Sequence, residues 1–318
     1  MTRYIRELFH KDEIALLYYM NNLTKHLVPS TTHKQRISDY LVGVFDQLPS
    51  RSSVKKAIKA SRVWLNGAEA TTADWVKGGS EIVLKAAIIK TEQRPFLIDI
   101  KIYFEDDYIA VVHKPAGIAV SGNFFKTIER GLIHNLSRST QVDALAFPLV
   151  AHRLDKATAG LLLVAKTQRA RIELGRAFEA KMIQKGYLAI VQGMPPEQGE
   201  ITLDIEGKKA CSYYQKIETV PSLRNQFLSL LRLQPITGRT HQLRIHLASI
   251  RHPIVGDSLY GQKGKVLLHK GLFLLAQKIQ FNHPITGAAL IFEIEHPHKY
   301  TALLQREARR FHKIKFNL

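Results

Sequence analysis

The spacing of apolar residues predicts a small α/β domain at 36–90. Its first half has apolar side chains every three or four positions in two short segments, which is the period of a helix. A Val-Trp-Leu run follows at 63–65 and an Ile-Val-Leu run at 82–84. Asn66-Gly67 after the first run is a strong signal for a hairpin turn, so both runs are predicted to be strands.

Residues 1–35 are predicted to be an N-terminal extension. Within it the pattern favours a helix from Lys11 to His26, which Pro29 would end. The apolar run at 14–20 is far shorter than the ~20 residues that cross a bilayer, and no cleavage-site pattern accompanies it. We therefore expect a cytoplasmic protein that does not associate with membranes.

A larger domain is predicted at 96–318. Alternating apolar and polar residues predict two strands around a turn at 101–120. The same patterns predict strands at 160–166, 187–191, 211–219, 226–235, 271–281 and 288–295, and helices at 168–182, 240–250 and the basic carboxyl end. Strands joined by hairpins, with few helices, favour the α+β class with a mostly antiparallel mixed sheet and flanking helices.

The charge of the chain indicates its class of partner. The 318 residues include 46 Lys and Arg against 27 Asp and Glu, a net charge of +19. This excess favours a polyanion such as RNA, with a merely basic soluble protein as the alternative that charge alone leaves open. Cys211 is the single cysteine, which excludes an intrachain disulfide and a multi-cysteine zinc site. The scattered histidines give no metal-ligand set at usable spacing, so we expect no metal.

Basic residues of the small domain lie at positions suited to a phosphate backbone. Lys55, Lys56 and Lys59 occupy neighbouring rows of a helix that begins at Arg51. Segment 36–90 resembles the S4 RNA-binding domain. The matching features are these three lysines together with Arg36, Leu41, Ser50-Arg51-Ser52, Ile58 and Val63 to Gly67. The resemblance implies that Arg51 and the three lysines contact RNA; the alternative is a solvated helix face. Two departures are Ser61 in place of glycine, and Gly78-Gly79-Ser80 in place of a closing Gly-Asp.

Three segments of the larger domain carry candidate chemistry. They are EDDYIAVVHKPAGIAV at 105–120, HRLDKATAGLLLVAKT at 152–167 and TGRTHQLRIHLASIRHPIVGDSLYG at 237–261, with KGYLAIVQG at 185–193 between the last two. In order and spacing they resemble the RluA-type pseudouridine synthases, which are RNA-modifying enzymes. The resemblance covers most of 100–296 and implies the sheet fold of that family and the isomerisation of specific uridines.

The resemblance implies Asp155, Tyr187 and Arg244 as the catalytic residues. The reaction breaks the N1–C1′ bond, turns the uracil and rejoins it through C5 without redox change, so no cofactor is expected. A carboxylate must attack C1′, attack the base or remove a ribose proton, and Asp155 is the candidate for each route. Arg244 would oppose its charge in a desolvated pocket and hold it through two hydrogen bonds. Tyr187 would stack on the flipped uracil or take part in proton transfer.

Four further residues are expected to bind RNA. Arg153 would help to extrude the nucleotide, and His152 would position neighbouring groups. Arg239 and His241 lie where a Thr-Gly turn enters a helix, for which Thr240 is the predicted N-cap, and the free amides there suit a phosphate.

Other functional classes fit the sequence less well. Gly256-Asp257-Ser258-Leu259 spells the signature of GDSL-type hydrolases, but the position in the chain and the missing Asp-x-x-His argue against it. His-Arg-Leu-Asp is found in kinase catalytic loops, but the other kinase motifs are absent from the sequence. We expect a monomer that acts on large-subunit ribosomal RNA. A transfer RNA substrate, and a non-catalytic RNA-binding or ribosome-assembly role, remain the alternatives.

Overall fold

The computed structural model describes residues 23–85, 94–262 and 270–315. The chain divides into two units, Met1–Thr91 and Glu92–Leu318. None of the helices in the described ranges has the length and apolar character needed to span a bilayer.

Within residues 23–85, the first unit contains a four-stranded antiparallel sheet, a separate pair of strands and two short helices. Its elements are β1 (Thr24–Leu27), β2 (Gln35–Arg36), α1 (Ile37–Tyr40), α2 (Arg51–Lys59), β3 (Val63–Leu65), β4 (Ala68–Glu69), β5 (Trp75–Val76) and β6 (Glu81–Leu84). The sheet order is β1-β6-β3-β4, and β2 pairs with β5. Asn66 and Gly67 have φ of 48° and 83°, so the predicted hairpin turn between β3 and β4 is confirmed.

The predicted helix from Lys11 to His26 is wrong at its carboxyl end. Thr24–Leu27 form β1, which pairs antiparallel with β6, while residues 1–22 lie outside the described ranges. The segment is mostly solvent-exposed, so apolar periodicity carries little information there, and the hydrogen bonds offered by the edge of β6 decide its conformation. The sheet therefore begins before residue 36, inside the segment expected to be an extension.

Helix α2 presents its lysines to solvent. Ser50 caps its first turn, and Ser53 completes a reciprocal capping box. The buried face consists of Val54, Ala57 and Ile58, which pack into the core of the first unit. Lys55, Lys56 and Lys59 are exposed on the opposite side. Arg51 forms an ion pair with Asp39 at 2.7 Å.

The second unit is built on one mostly antiparallel ten-stranded sheet. The strands are β7 (Ile102–Glu105), β8 (Ile109–Lys114), β9 (Ala144–Val150), β10 (Ala159–Thr167), β11 (Gln184–Gln192), β12 (Gln198–Ile201), β13 (Ser212–Ser222), β14 (Gln226–Pro235), β15 (Leu274–Asn282) and β16 (Ala289–Glu293). The helices are α3 (Ile128–Asn135), α4 (Gln168–Glu179), α5 (Gln242–Ser249) and α6 (His298–Lys315). The main order is β12-β13-β14-β11-β15-β10-β8-β7, with β16 beside β15 and β9 beside β10. The α+β prediction is confirmed.

Strands β10 and β15 form the parallel pair at the centre of this sheet. Gly160 lies opposite Ala276, and a Cβ on Gly160 would fall 2.2 Å from the Ala276 carbonyl oxygen. Gly160 also has a φ of 123°, a conformation that favours glycine. This close contact fixes the start of β10 and therefore the loop that precedes it, which contains Asp155.

Candidate active site

A cavity of about 110 Å³ lies where three segments of the second unit meet. Asp155 enters from the loop before β10, Tyr187 from β11 and Arg244 from α5. The structure thus brings together six of the residues singled out from the sequence: Arg153, Asp155, Tyr187, Arg239, His241 and Arg244. His152 does not line this cavity, and the four basic residues of α2 belong to the other unit.

The centre of the cavity wall is a guanidinium shared by two carboxylates. Arg244 Nε and Nη2 each donate to Asp257 at 2.8 Å, while Arg244 Nη1 contacts Asp155 Oδ2 at 3.4 Å. The expected pairing with Asp155 is present, but the two-hydrogen-bond geometry predicted for it is wrong, because Asp257 takes that position. The side chain of Asp155 is 18% exposed, against 5% for Arg244 and 0% for Asp257. Asp155 is therefore the carboxylate that faces the cavity.

Asp257 fixes the orientation of Arg244. Its Oδ1 also accepts hydrogen bonds from the backbone amides of Leu259 and Tyr260. Burial alone would raise the pKa of Asp257, but the hydrogen bonds from Arg244 and these amides lower it overall. Burial likewise opposes the charge of Arg244, and the hydrogen bonds and charge of Asp257, followed by Asp155, raise the pKa of Arg244 above its ordinary value. Both groups stay charged although they are buried.

Lys114 anchors the loop that contains Asp155 through hydrogen bonds to backbone carbonyl groups. Its side chain is fully buried, and Nζ donates to the carbonyl oxygens of Pro115, Lys156 and Thr158 at 3.0, 3.1 and 2.7 Å. Three acceptors match the three donors of an ammonium group. Burial lowers the pKa of Lys114 to about 8, and the Asp155 carboxylate opposes this shift. Two of the three anchored carbonyls belong to the residues one and three positions after Asp155, so Lys114 fixes the backbone that carries this carboxylate.

Tyr187 is buried in the cavity wall. It pairs with Leu233 of β14 and Ala276 of β15, so its backbone is fixed from both sides. Burial, and secondly the charge of Asp155, raise the pKa of Tyr187 above its ordinary value. The hydroxyl group therefore remains protonated at neutral pH and is available as a hydrogen-bond donor.

Comparisons with known proteins agree on one family. Residues 108–249 match the model of the RNA pseudouridylate synthase family. An uncharacterised RNA pseudouridine synthase of Aquifex aeolicus is 30% identical over 297 residues, which cover 85% of this chain and 93% of that protein. The chain belongs to the RNA pseudouridylate synthase family. The resemblance to RluA-type synthases is thereby confirmed.

Two further comparisons extend this result. Ribosomal large subunit pseudouridine synthase D of Nitrosomonas europaea is 32% identical over 310 residues, covering 89% of this chain and 88% of that protein. The solved structure of human RNA pseudouridylate synthase domain containing 4 has a TM-score of 0.51 at 23% identity, and the match covers 65% of this chain and 92% of that one. The human structure supports the fold of the second unit.

In this synthase, the prediction that Thr240 is the N-cap of α5 is wrong. The N-cap is His241, which has a φ of 55° and makes no capping hydrogen bond with its side chain. Gln242 instead stabilises the turn, since its Oε1 accepts from Thr237 and from the amide of Arg239, while its Nε2 donates to Cys211 and Ser212. The left-handed conformation turns His241 towards Asp155, with Nε2 at 3.9 Å from Oδ1, and towards Tyr260.

The sequence did not assign a role to three side chains that shape the site. Lys114, Gln242 and Asp257 all lie in the segments that resemble the family, but no sequence pattern distinguishes them from their neighbours. The sequence signal for Asp257 is its position directly after a glycine, Gly256. In the structure, a Cβ added to Gly256 would fall 1.9 Å from the Gly271 carbonyl oxygen, so the backbone there is tightly packed. Such a tight backbone packs an acid inside the protein, where it requires a cation.

Replacement of Lys114 by Met should separate loop positioning from folding. We expect a loss of about 3 kcal/mol in unfolding free energy, because three carbonyls, of which that of Thr158 is buried, lose their donor. We also expect kcat to fall on the order of 10²-fold below the unfolding temperature, since small displacements of a catalytic group have effects of this size. Lys101, which is exposed, provides the matched Lys101→Met control. An unchanged kcat in Lys114→Met would show that the anchor serves stability alone.

His152 gives a prediction for the pH dependence of stability. Its Nε2 accepts from the amide of Leu163 at 3.1 Å, and burial, followed by the charge of Lys185, lowers the pKa of His152 to about 3. The unfolded chain binds a proton at this histidine below about pH 6.5 and the folded protein does not, so stability is lost as pH falls. The contribution reaches at most about 1.4 kcal/mol per pH unit.

Urea unfolding of the wild type and His152→Gln at pH 7.5 and pH 5 measures this contribution. The wild type should lose more stability than the variant across that interval. Equal losses would mean that His152 is protonated in the folded protein, contrary to its role as an acceptor.

Proposed function

We propose that this synthase converts specific uridines of large-subunit ribosomal RNA to pseudouridine, with Asp155 as the catalytic carboxylate. The observation that carries the proposal is the Asp155 carboxylate at the cavity surface, 3.4 Å from a guanidinium that a second, buried carboxylate holds in place. Support for the ribosomal substrate comes from the relative in Nitrosomonas europaea, which is named a ribosomal large subunit pseudouridine synthase, and from another in Rickettsia felis named synthase C.

The chemistry assigned to these groups follows from their environments. The target uridine leaves its stack, and its base enters the cavity beside Tyr187. Asp155 acts as the carboxylate at C1′, at the base or on a ribose proton, and the guanidinium of Arg244 lies against it in the desolvated site. The N1–C1′ bond breaks, the uracil turns, and a C5–C1′ bond forms as C5 loses its proton and N1 gains one. Tyr187 contacts the base and donates from its hydroxyl group.

RNA binding by the first unit is part of this proposal. We assign it an S4-like role, in which Lys55, Lys56 and Lys59 contact phosphates. Support comes from their exposure on one side of a capped helix. Support also comes from Ser61, which stands at the position where S4 domains have glycine. Its φ of 54° is the left-handed conformation that glycine favours, as expected for the same turn before β3.

A carbodiimide map of pseudouridine in ribosomal and transfer RNA tests the proposed reaction and substrate. It compares cells with the gene intact, deleted or carrying Asp155→Asn. We expect the same discrete large-subunit sites to disappear in both altered strains. Loss of transfer RNA sites would replace the ribosomal assignment. An unchanged map would favour the non-catalytic RNA-binding alternative.

A further inference from the structure

A second cavity, of about 520 Å³, adjoins the one that contains Asp155. The two share the residues Arg153, Lys185, Pro235, Thr237, Gly238 and Arg239. The volume lies within the range of roughly 300–1,000 Å³ typical of sites for small ligands. Part of its wall is apolar, from Phe178, Ile183 and Ile236. The second cavity is therefore a side chamber that opens beside the site of reaction.

The charged groups around the side chamber are mostly cationic. Arg153, Lys181, Lys185 and Arg239 line it, against the single carboxylate of Glu179. A chamber with an apolar wall and an excess of positive charge suits a ligand that combines flat rings with an anionic group. A nucleotide has this combination, because its base is planar and its phosphate is charged.

Lys185 lies at the junction of the two cavities. It stands on β11 two positions before Tyr187, and its Nζ lies 5.9 Å from the centre of the Phe178 ring and 3.8 Å from the place of a Cβ on Gly238. The residue is only partly accessible. Among the described residues, no carboxylate or hydrogen-bond acceptor pairs with its ammonium group, in contrast to Lys114. A partly buried cation without an internal anion is costly unless a ligand supplies one.

We propose that Lys185 binds the phosphate that joins the target uridine to an adjoining nucleotide, whose base lies in the side chamber. This inference rests on the proposed function. The target base occupies the first cavity, and its backbone must leave past the shared rim where Lys185, Arg153 and Gly238 lie. Desolvation, with no opposing carboxylate, lowers the pKa of Lys185, which agrees with a site whose anionic partner is a bound ligand. The chamber would thus read the nucleotide beside the modified uridine.

The first test removes the charge of Lys185. Lys185→Met keeps the length of the side chain, and because it removes a cation without a partner, the variant should be at least as stable as the wild type. On an unmodified large-subunit RNA transcript we expect KM to rise about tenfold, the size of one charge-assisted contact, and Lys185→Arg to restore most of it. The magnitude of the slope of log K against log salt should fall by about 0.7, as for one single-strand phosphate.

Lys278→Met is the matched control. Lys278 lies on the neighbouring strand β15, lines neither cavity, and forms an ion pair with Glu293 at 3.0 Å. It removes the same net charge and should leave KM and the salt slope unchanged. Equal values for Lys185→Met and the wild type would overturn the proposal, as would an identical loss in the Lys278→Met control.

A short RNA around the mapped uridine locates the contact. A neutral methylphosphonate on one side of the uridine should weaken wild-type binding about as much as Lys185→Met does, and combining the two should cost little more. If the effects of the methylphosphonate and of Lys185→Met on binding are fully additive whichever side of the uridine carries the methylphosphonate, the proposal is overturned. If the wild type forms no pseudouridine in ribosomal RNA, the proposed function fails, while the salt slopes of RNA binding still decide whether Lys185 contacts a phosphate.

Discussion

Asp155→Asn should abolish pseudouridine formation, with a loss on the order of 10⁴-fold or more in kcat, as for other enzymes deprived of a catalytic carboxylate. The amide has the size of the carboxylate but can neither attack carbon nor accept a proton at neutral pH. RNA affinity should be nearly unchanged, because the phosphate contacts lie elsewhere. Tritium release from C5-labelled uridine in an RNA transcript measures the first quantity, and filter binding the second.

Asp99→Asn is the control for this substitution. Asp99 is an exposed carboxylate of the same unit, does not line the cavity, and its loss should not change the rate. Turnover by Asp155→Asn comparable with that of the control would refute the assignment of Asp155. Loss of RNA binding together with turnover would instead indicate that the variant is misfolded.

Asp257→Asn should destabilise the enzyme by about 3–5 kcal/mol, because the buried guanidinium of Arg244 loses its closer carboxylate and keeps only Asp155, at 3.4 Å, as an anionic partner. It should also lower kcat, since the Asn amide can accept at most one of the two hydrogen bonds that orient Arg244 towards Asp155. Asp257 has a lowered pKa in the folded protein, so its stabilising effect is present above its unfolded pKa of about 3.9 and is lost as pH falls through the folded value. The difference between wild type and variant should therefore persist at pH 5–8 and vanish in acid.

Ser258→Ala provides the control for Asp257→Asn. Ser258 is the next residue and is exposed. Its replacement should leave activity and stability unchanged. Urea unfolding and initial rates on RNA measure both variants. Wild-type stability in Asp257→Asn would mean that Asp155 alone is a sufficient partner for the buried Arg244, contrary to the role assigned to Asp257.

Most strands of the second unit could be predicted from sequence, because apolar alternation records which side chains face the core. Strand β9 was missed: it contains a proline and is half-buried throughout, so its placement beside β10 depends on tertiary pairing. Strand β12 is short, and α3 is a short helix whose N-cap, Thr127, gives only a local signal. The false helix at Thr24 has the same origin, since the edge of β6 and not local pattern determines β1.

The site residues that lie in recognisable motifs were predicted, whereas the hydrogen-bond partners of these residues, which depend on the three-dimensional geometry, were missed. Asp155, Tyr187 and Arg244 lie in segments that resemble a family, and they do line one cavity. Sequence could not show that Arg244 directs its two parallel hydrogen bonds to Asp257, because both carboxylates are within reach of a long side chain. Sequence also could not show that no described carboxylate pairs with Lys185, since this depends on what surrounds the side chain in three dimensions.

The shared guanidinium separates the charges of the cavity into an inner pair and an outer group. Asp155 is the one carboxylate among the described residues that line the cavity, and Arg244 lies against it, while Asp257 is fully buried. The other three cations of the lining, Arg153, Lys185 and Arg239, all belong to the part of the wall shared with the side chamber. An uncharged uracil can therefore lie against the inner pair, while the outer cations attract the sugar-phosphate chain. The distribution of charge thus distinguishes the two halves of a nucleotide before any hydrogen bond contacts the base.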